Sequence, residues 1–156
     1  MAYDVIVIGG GIAGSALATV LANQGIEVLV LERERVFKDR VRGEGIHPWG
    51  VAEARALGLL PTMLACGREV RHWTTSFGAP PGDRRDLILT TPHQAGALTF
   101  YHPTMQETLL QAARAAGCPV GLVSYGYNHG QPVRAVDADG YLDSLADLAP
   151  RLRDGA

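Results

Sequence analysis

The 156-residue sequence contains only two cysteines, Cys66 and Cys118, and they form no CxxC pair. There is therefore no disulfide framework and no cysteine-based zinc site, and both read as reduced thiols. The five histidines, at positions 47, 72, 93, 102 and 129, show no ligand spacing, so no metal is assigned. An excess of charge of one sign is also lacking. Fourteen Lys and Arg against sixteen Asp and Glu give a net charge of −2, which removes the electrostatic case for nucleic acid or an anionic membrane as partner. Glycines and charges interrupt every apolar run well short of a membrane span. The N-terminus carries Asp4 where a signal peptide has its basic region, and no small-residue cleavage site precedes Glu32 and Glu34. A cytoplasmic protein is expected. What the sequence does have is enough apolar material, 47% of residues, for one domain core, with no internal repeat.

That material is concentrated in "VIVIGGGIAGSALATVLANQGIEVLVLERE", Val5 to Glu34. Tyr3 to Ile8 is a β-branched run ending in three glycines, the pattern of a strand buried on both faces of a parallel sheet. A helix follows, with Ile12, Ala16, Thr19, Val20 and Asn23 along one side, Leu17 and Leu21 beside them, and Gly25 just past its end. Ile26 to Leu31 repeats the buried-strand pattern and completes a βαβ unit. Gly9-Gly10-Gly11-Ile12-Ala13-Gly14 is GxGxxG between that strand and that helix. Its first glycine permits a tight turn, its second lets a pyrophosphate approach the backbone, and its third lets helix and strand pack closely. A bare glycine-rich turn is the plainer alternative, but here strand, helix and acidic residue are all in place. Glu32 closes the second strand, with seventeen residues between it and Gly14, near the spacing of a carboxylate that accepts hydrogen bonds from an adenosine ribose. An acid there favours the unphosphorylated ribose of FAD or NAD over NADP and does not separate FAD from NAD.

Further along, "ERERVFKDRVRGE" reads as a charged loop, and Pro48 and Gly50 open a helix ending near Gly58. Residues 74–97 read as a loop with one or two strands around "LILTT". In "YHPTMQETLLQAARAAG", Pro103 suits the first helical position and Thr104 with Glu107 has capping-box spacing. Met105, Leu109, Leu110 and Ala113 form that helix's buried face and Gly117 ends it. The remainder offers a hairpin around Asn128 to Gly130, an ordinary turn at "DADG" and a weak terminal helix.

The opening βαβ, the "LERE" ending, "DRVRGEG", "GIHPWGVAEARALGLL" and "YHPTMQETLLQAARAAG" together resemble the N-terminal part of the FAD-dependent aromatic hydroxylases, the family that includes p-hydroxybenzoate hydroxylase. The resemblance runs from Tyr3 to Gly117. It implies an α/β fold of Rossmann type with a parallel sheet and flanking helices, in incomplete form. Residues 1–117 would be the FAD-binding part and 118–156 a divergent tail, the family pattern fading just where another strand is expected. It also implies FAD as cofactor, NAD(P)H as electron donor and oxygenation of a small-molecule substrate. Geranylgeranyl reductases and flavin halogenases share the cofactor architecture, although the tryptophan-rich halogenase signature is missing and Trp49 and Trp73 stand alone.

Carried over by position, the resemblance places Gly9, Gly11, Ile12, Ala13 and Gly14 at the pyrophosphate, Glu32 at the ribose and Arg33 against the adenosine. Arg42 would contact phosphate or flavin, and His102 stands where many relatives carry Arg or Gln at the start of the second helix to contact the cofactor. No side chain is assigned as catalytic acid, base or nucleophile. The family's later GD element has no counterpart here, so a second chain or a missing C-terminal region is expected to complete the flavin site. The chain is accordingly expected to be an N-terminal fragment, ended by an early stop or a frame change near residue 118, with a self-contained nucleotide-binding module as the alternative.

Overall fold

The structure is a computed structural model that describes residues 2–34, 36–40, 44–75, 82–125, 132–135 and 138–151, of which 149–151 by their backbone. In chain order its elements are β1 (Val5–Ile8), α1 (Ile12–Asn23), β2 (Val28–Glu32), β3 (Gly45–Ile46), α2 (Pro48–Ala56), α3 (Leu60–Leu64), β4 (Gly67–Val70), β5 (His72–Thr74), β6 (Arg84–Asp86), α4 (Leu87–Thr90), β7 (Ala97–Phe100), α5 (His102–Ala115), β8 (Val120–Val123) and β9 (Gly140–Leu142). They fall into two compact units, one of Met1–Lys38 with Gln106–Ala156 and the other of Asp39–Met105.

The first unit is built on a parallel sheet in the order β1-β2-β8-β9. All five residues of β2 and all four of β8 are buried, as the apolar runs Val28–Leu31 and Val120–Val123 require of interior parallel strands, with Glu32 the one charged residue among them. β1 shares the composition but stands at the end of the order, so only Val7 is buried and Ile8 is 68% exposed. Burial on both faces was the expectation for β1, and the edge position is what reduces it. Side chains alternate across β2. Val28 and Val30 join Val7, Ala18, Leu110, Ala113, Cys118 and Val120 in one core cluster, while Leu29 and Leu31 join Tyr3, Val123, Leu142 and Leu148 in another. The sheet thus carries a core cluster on both sides, with α1 and α5 contributing to the first and Leu148 of the 3₁₀ segment Leu145–Arg151 to the second.

α1 turns a different side inward from the one its apolar residues indicate. Ser15, Ala18 and Thr19 are its buried residues, while Leu17 is 51% exposed. Close packing on the sheet selects small side chains at the contact. Thr19 Oγ1 donates to Ser15 O at 2.8 Å and Ser15 Oγ to Gly10 O at 2.9 Å, so these buried hydroxyls are satisfied.

Past Gly117, whose φ of +96° suits the left-handed residue after a helix, β8 enters the sheet beside β2. Asp139 fastens β9 to it: its N–H donates to Val120 O at 3.1 Å and its carboxylate accepts from Val120 N at 2.8 Å. The hairpin expected at Asn128 to Gly130 lies outside the described residues.

The second unit has an antiparallel sheet ordered β3-β7-β4 and a separate β5-β6 pair. Pro48 opens α2 and Gly58, at φ +73°, follows its end, as expected. "LILT" is a single helical turn rather than a strand, because the Asp86 carboxylate accepts from Ile88 N at 3.0 Å and Leu89 N at 3.1 Å and so caps it. α5 begins at His102, before the capping-box residues, and Met105 N donates to Tyr101 O at 3.0 Å. Its buried residues Met105, Leu109, Leu110 and Ala113 are those its periodicity indicates.

Candidate functional site: the glycine loop and Glu32

Between β1 and α1 the chain turns through Gly9 at φ +108°, a conformation that side chains resist. Gly9 N donates to Leu31 O at 2.7 Å and so holds the turn against the end of β2. Gly11, in extended conformation, is the N-cap of α1, and among the described residues no side chain caps the helix. Its first turn contains no acidic residue either. The first N–H groups of α1 and the positive end of its dipole are therefore uncompensated by the helix itself, the arrangement that favours an anion. Gly14 explains how α1 reaches this position: a β-carbon there would sit 1.9 Å from Gly9 O. Gly9 and Gly11 have the opposite surroundings. Among the described residues, chain neighbours aside, a β-carbon on Gly9 would meet nothing within 4 Å, and one on Gly11 only Gln106 Nε2, at 3.6 Å.

Glu32, the last residue of β2, is 7% exposed. Its Oε2 accepts from Gly10 N at 2.7 Å, and its Oε1 from Arg33 N at 2.7 Å and Glu34 N at 2.8 Å. One buried carboxylate thus ties the glycine loop to the end of the neighbouring strand and satisfies three backbone donors. A carboxylate offers about four acceptor positions, two on each oxygen, so one on Oε2 is left. Gly10 fits tightly: a β-carbon there would lie 3.1 Å from Leu110 Cδ1 and 3.2 Å from Glu32 Cβ.

The structure brings Gly9, Gly11, Ile12, Ala13, Gly14, Glu32 and Arg33 together around this loop and strand end. Ile12 is half-buried and Ala13 exposed. Arg33 is exposed, with Nε 3.6 Å from Glu34 Oε1. Arg42 lies outside the described residues. His102 belongs to the other unit, where its ring is 6.3 Å from that of Phe100.

Sequence reasoning assigned nothing to Gly10, whose amide engages Glu32. It also left Trp49 and Trp73 apart. In the second unit His47 stacks on both, with ring centroids 4.4 Å from Trp49 and 5.6 Å from Trp73, and His93 lies edge-on to Trp49 at 6.4 Å. Beside this stack is a cavity of about 330 Å³ whose walls include Ile46, His47, Val70, His72, Trp73 and Leu98. The wide spacing of these residues in the sequence gave no signal that they meet. Among the described residues no group of three or more His, Cys, Asp or Glu could hold a metal ion, and no helix is long and apolar enough to cross a membrane.

Comparison with known proteins agrees with the geometry of the loop. Squalene epoxidase ERG1 of Candida albicans is 32% identical over 96 residues, covering 58% of this chain and 19% of that protein. The chain spans less than a fifth of that relative's length. Among solved structures, p-nitrophenol 4-monooxygenase PnpA from Pseudomonas putida superposes with a TM-score of 0.63 at 22% identity, over 78% of this chain and 31% of PnpA. The Diels-Alderase PyrE3 of pyrroindomycin biosynthesis gives 0.60 at 26% identity, over 76% of this chain and 24% of that one. A family model described as FAD binding domain matches residues 2–140, most of the sequence and all of the loop, both strands and the helix that form the site. This chain belongs to that FAD binding domain family.

Proposed function

We propose that this chain holds the ADP portion of FAD, with the diphosphate over Gly9, Gly11, Ile12, Ala13 and Gly14 and the adenosine ribose at Glu32, as the cofactor domain of a flavin-dependent monooxygenase. The observation that carries the reading is the uncapped N-terminus of α1, opened by glycines and backed by a buried carboxylate with an acceptor position to spare. An anion at that helix end gains from free N–H groups and the dipole. A ribose hydroxyl donates to the remaining position on Glu32 Oε2, whereas a 2′-phosphate there meets a like charge. The exposed Arg33 guanidinium is placed against the adenosine. Arg42 and His102 are kept as cofactor contacts on the strength of the family resemblance alone.

When bound, FAD supplies the redox chemistry, taking electrons from NAD(P)H for the activation of O₂. The residues of this chain bind and orient it. Oxygenation is the reading supported by the names of the relatives, a squalene epoxidase and a p-nitrophenol monooxygenase. The fold is also that of a Diels-Alderase, so architecture by itself does not set the reaction. The cavity beside His47 and Trp73, largely apolar with two imidazoles in its wall, is the candidate place for a small organic substrate. Further chain, or a second chain, is proposed to complete the flavin end.

The test is a calorimetric titration of the purified protein with FAD and with ADP. The reading predicts that the two bind with comparable affinity, since both present the ADP portion, and that Glu32→Ala weakens both. Failure of FAD and ADP to bind, or affinities that Glu32→Ala leaves unchanged, contradicts it.

A further inference from the structure

One face of α5 packs toward the glycine loop, with Leu110 and Ala113 buried and the half-buried polar side chains Gln106 and Arg114 before and after them. Leu110 Cδ1 approaches Gly10, and Leu110 and Ala113 belong to the core cluster shared with Val7, Ala18 and Val30. One turn earlier on the same face stands Gln106, four residues before Leu110, as helix geometry requires of side chains that line up. Its Nε2 lies 3.6 Å from the position a β-carbon on Gly11 would take, and among the described residues no other atom comes within 4 Å of that position. The Gln106 side chain is half-buried, and among the described residues its carboxamide makes no hydrogen bond. A half-buried amide without a partner is a group that gains when something is brought to it. Here it stands over the open side of Gly11, beside the uncapped helix end.

We infer that Gln106 is a further contact to the cofactor, its carboxamide N–H donating to a diphosphate oxygen seated over Gly11. The inference rests on the FAD reading above and adds a residue that neither the fingerprint spacing nor the resemblance assigns. Gln106 then adds a side-chain donor to the diphosphate position beside Gly11. It is a positioning residue, not a catalytic one, and it acts on any ligand that places a diphosphate there.

The experiment measures the affinities of FAD, ADP and adenosine for the wild-type chain and for Gln106→Leu, Gln106→Glu and Gln106→Arg, with thermal melts of each protein without ligand. The expected result is a loss of about tenfold or more for FAD and ADP in Gln106→Leu, because the lost bond is to a charged group. Gln106→Glu should lose more, and Gln106→Arg should retain or improve the affinity. Adenosine, which carries no phosphate, should bind all four alike, and the melting temperatures should agree, since Gln106 makes no hydrogen bond among the described residues of the free protein. Wild-type FAD binding with equal affinity in Gln106→Leu overturns the inference and leaves the FAD reading intact. Losses that extend equally to adenosine also overturn it, since they point to a structural effect. Absence of FAD binding by the wild type overturns the FAD reading and this inference with it.

Discussion

Gly14 and Glu32 carry opposite kinds of constraint, and each predicts its own response to substitution. At Gly14 the constraint is space: a β-carbon at 1.9 Å from Gly9 O can be accommodated only by moving α1 or the turn. Gly14→Ala is therefore expected to destabilise the fold by about 2 kcal/mol, in the usual range for overpacking, measured by urea unfolding. An unchanged midpoint would mean that α1 does not sit this close to β1. At Glu32 the constraint is hydrogen bonding. Glu32→Ala leaves the amides of Gly10, Arg33 and Glu34 without their acceptor, and about 1–3 kcal/mol is expected, chiefly from the buried Gly10 donor left unpaired. Glu32→Gln keeps one acceptor oxygen and should lose less, so the order wild type, Gln, Ala in thermal stability checks the assignment.

These residues were legible in the sequence because their chemistry demands particular residue types at fixed separations along one short segment. Gly9, Gly11, Gly14 and Glu32 all belong to a single βαβ unit. Gln106 was not legible, because its neighbour Gly11 lies far earlier in the chain and only the packing of α5 brings them together. His47, Trp49 and Trp73 meet for the same reason, through a sheet whose register no local pattern announces.

Among the elements, the ones with a strong period or a long apolar run were the readable ones. β2 and α5 follow their patterns, and the side of α5 that periodicity selects is the buried one. Leu109 on α5 is fully buried, and Leu109→Ala should cost about 3 kcal/mol, read as a lowered urea midpoint with an unchanged slope. α1 was misjudged because contact with the sheet chose Ser15, Ala18 and Thr19 over larger side chains. "LILT" was misjudged because a single capping carboxylate outweighed the β character of four residues.

That carboxylate gives an element-scale prediction in pH. Burial pushes the Asp86 carboxyl up, but the Leu89 N–H, the Arg71 guanidinium at 2.8 Å and the Ile88 N–H together hold it below its ordinary value of 3.8. A carboxyl lowered in the folded state contributes stability above its unfolded value, and that contribution is lost as pH falls through the folded one. Stability of the wild type should therefore fall more steeply below about pH 4 than that of Asp86→Asn, in unfolding curves measured across that range. Parallel curves would show that the cap carries no net charge effect.

For the molecule as a whole, the fold class was readable because a parallel βαβ opening constrains what can follow it, and β8 stands where a further strand was expected. The division into Met1–Lys38 with Gln106–Ala156, and Asp39–Met105, was not readable, since it depends on contacts between distant segments and not on composition. The family membership rests on a match over residues 2–140, whereas the oxygenase reading rests on relatives of which this chain spans a small part. The claim that joins these levels is that one loop and one strand end hold the ADP portion of the cofactor. Its most direct test is a titration of the isotopically labelled chain with ADP, followed through backbone amide NMR shifts. The account predicts the largest shifts at Gly9 to Gly14 and at Glu32 and Arg33. Shifts that spare the glycine loop, or fall chiefly on residues 45–99, would contradict it.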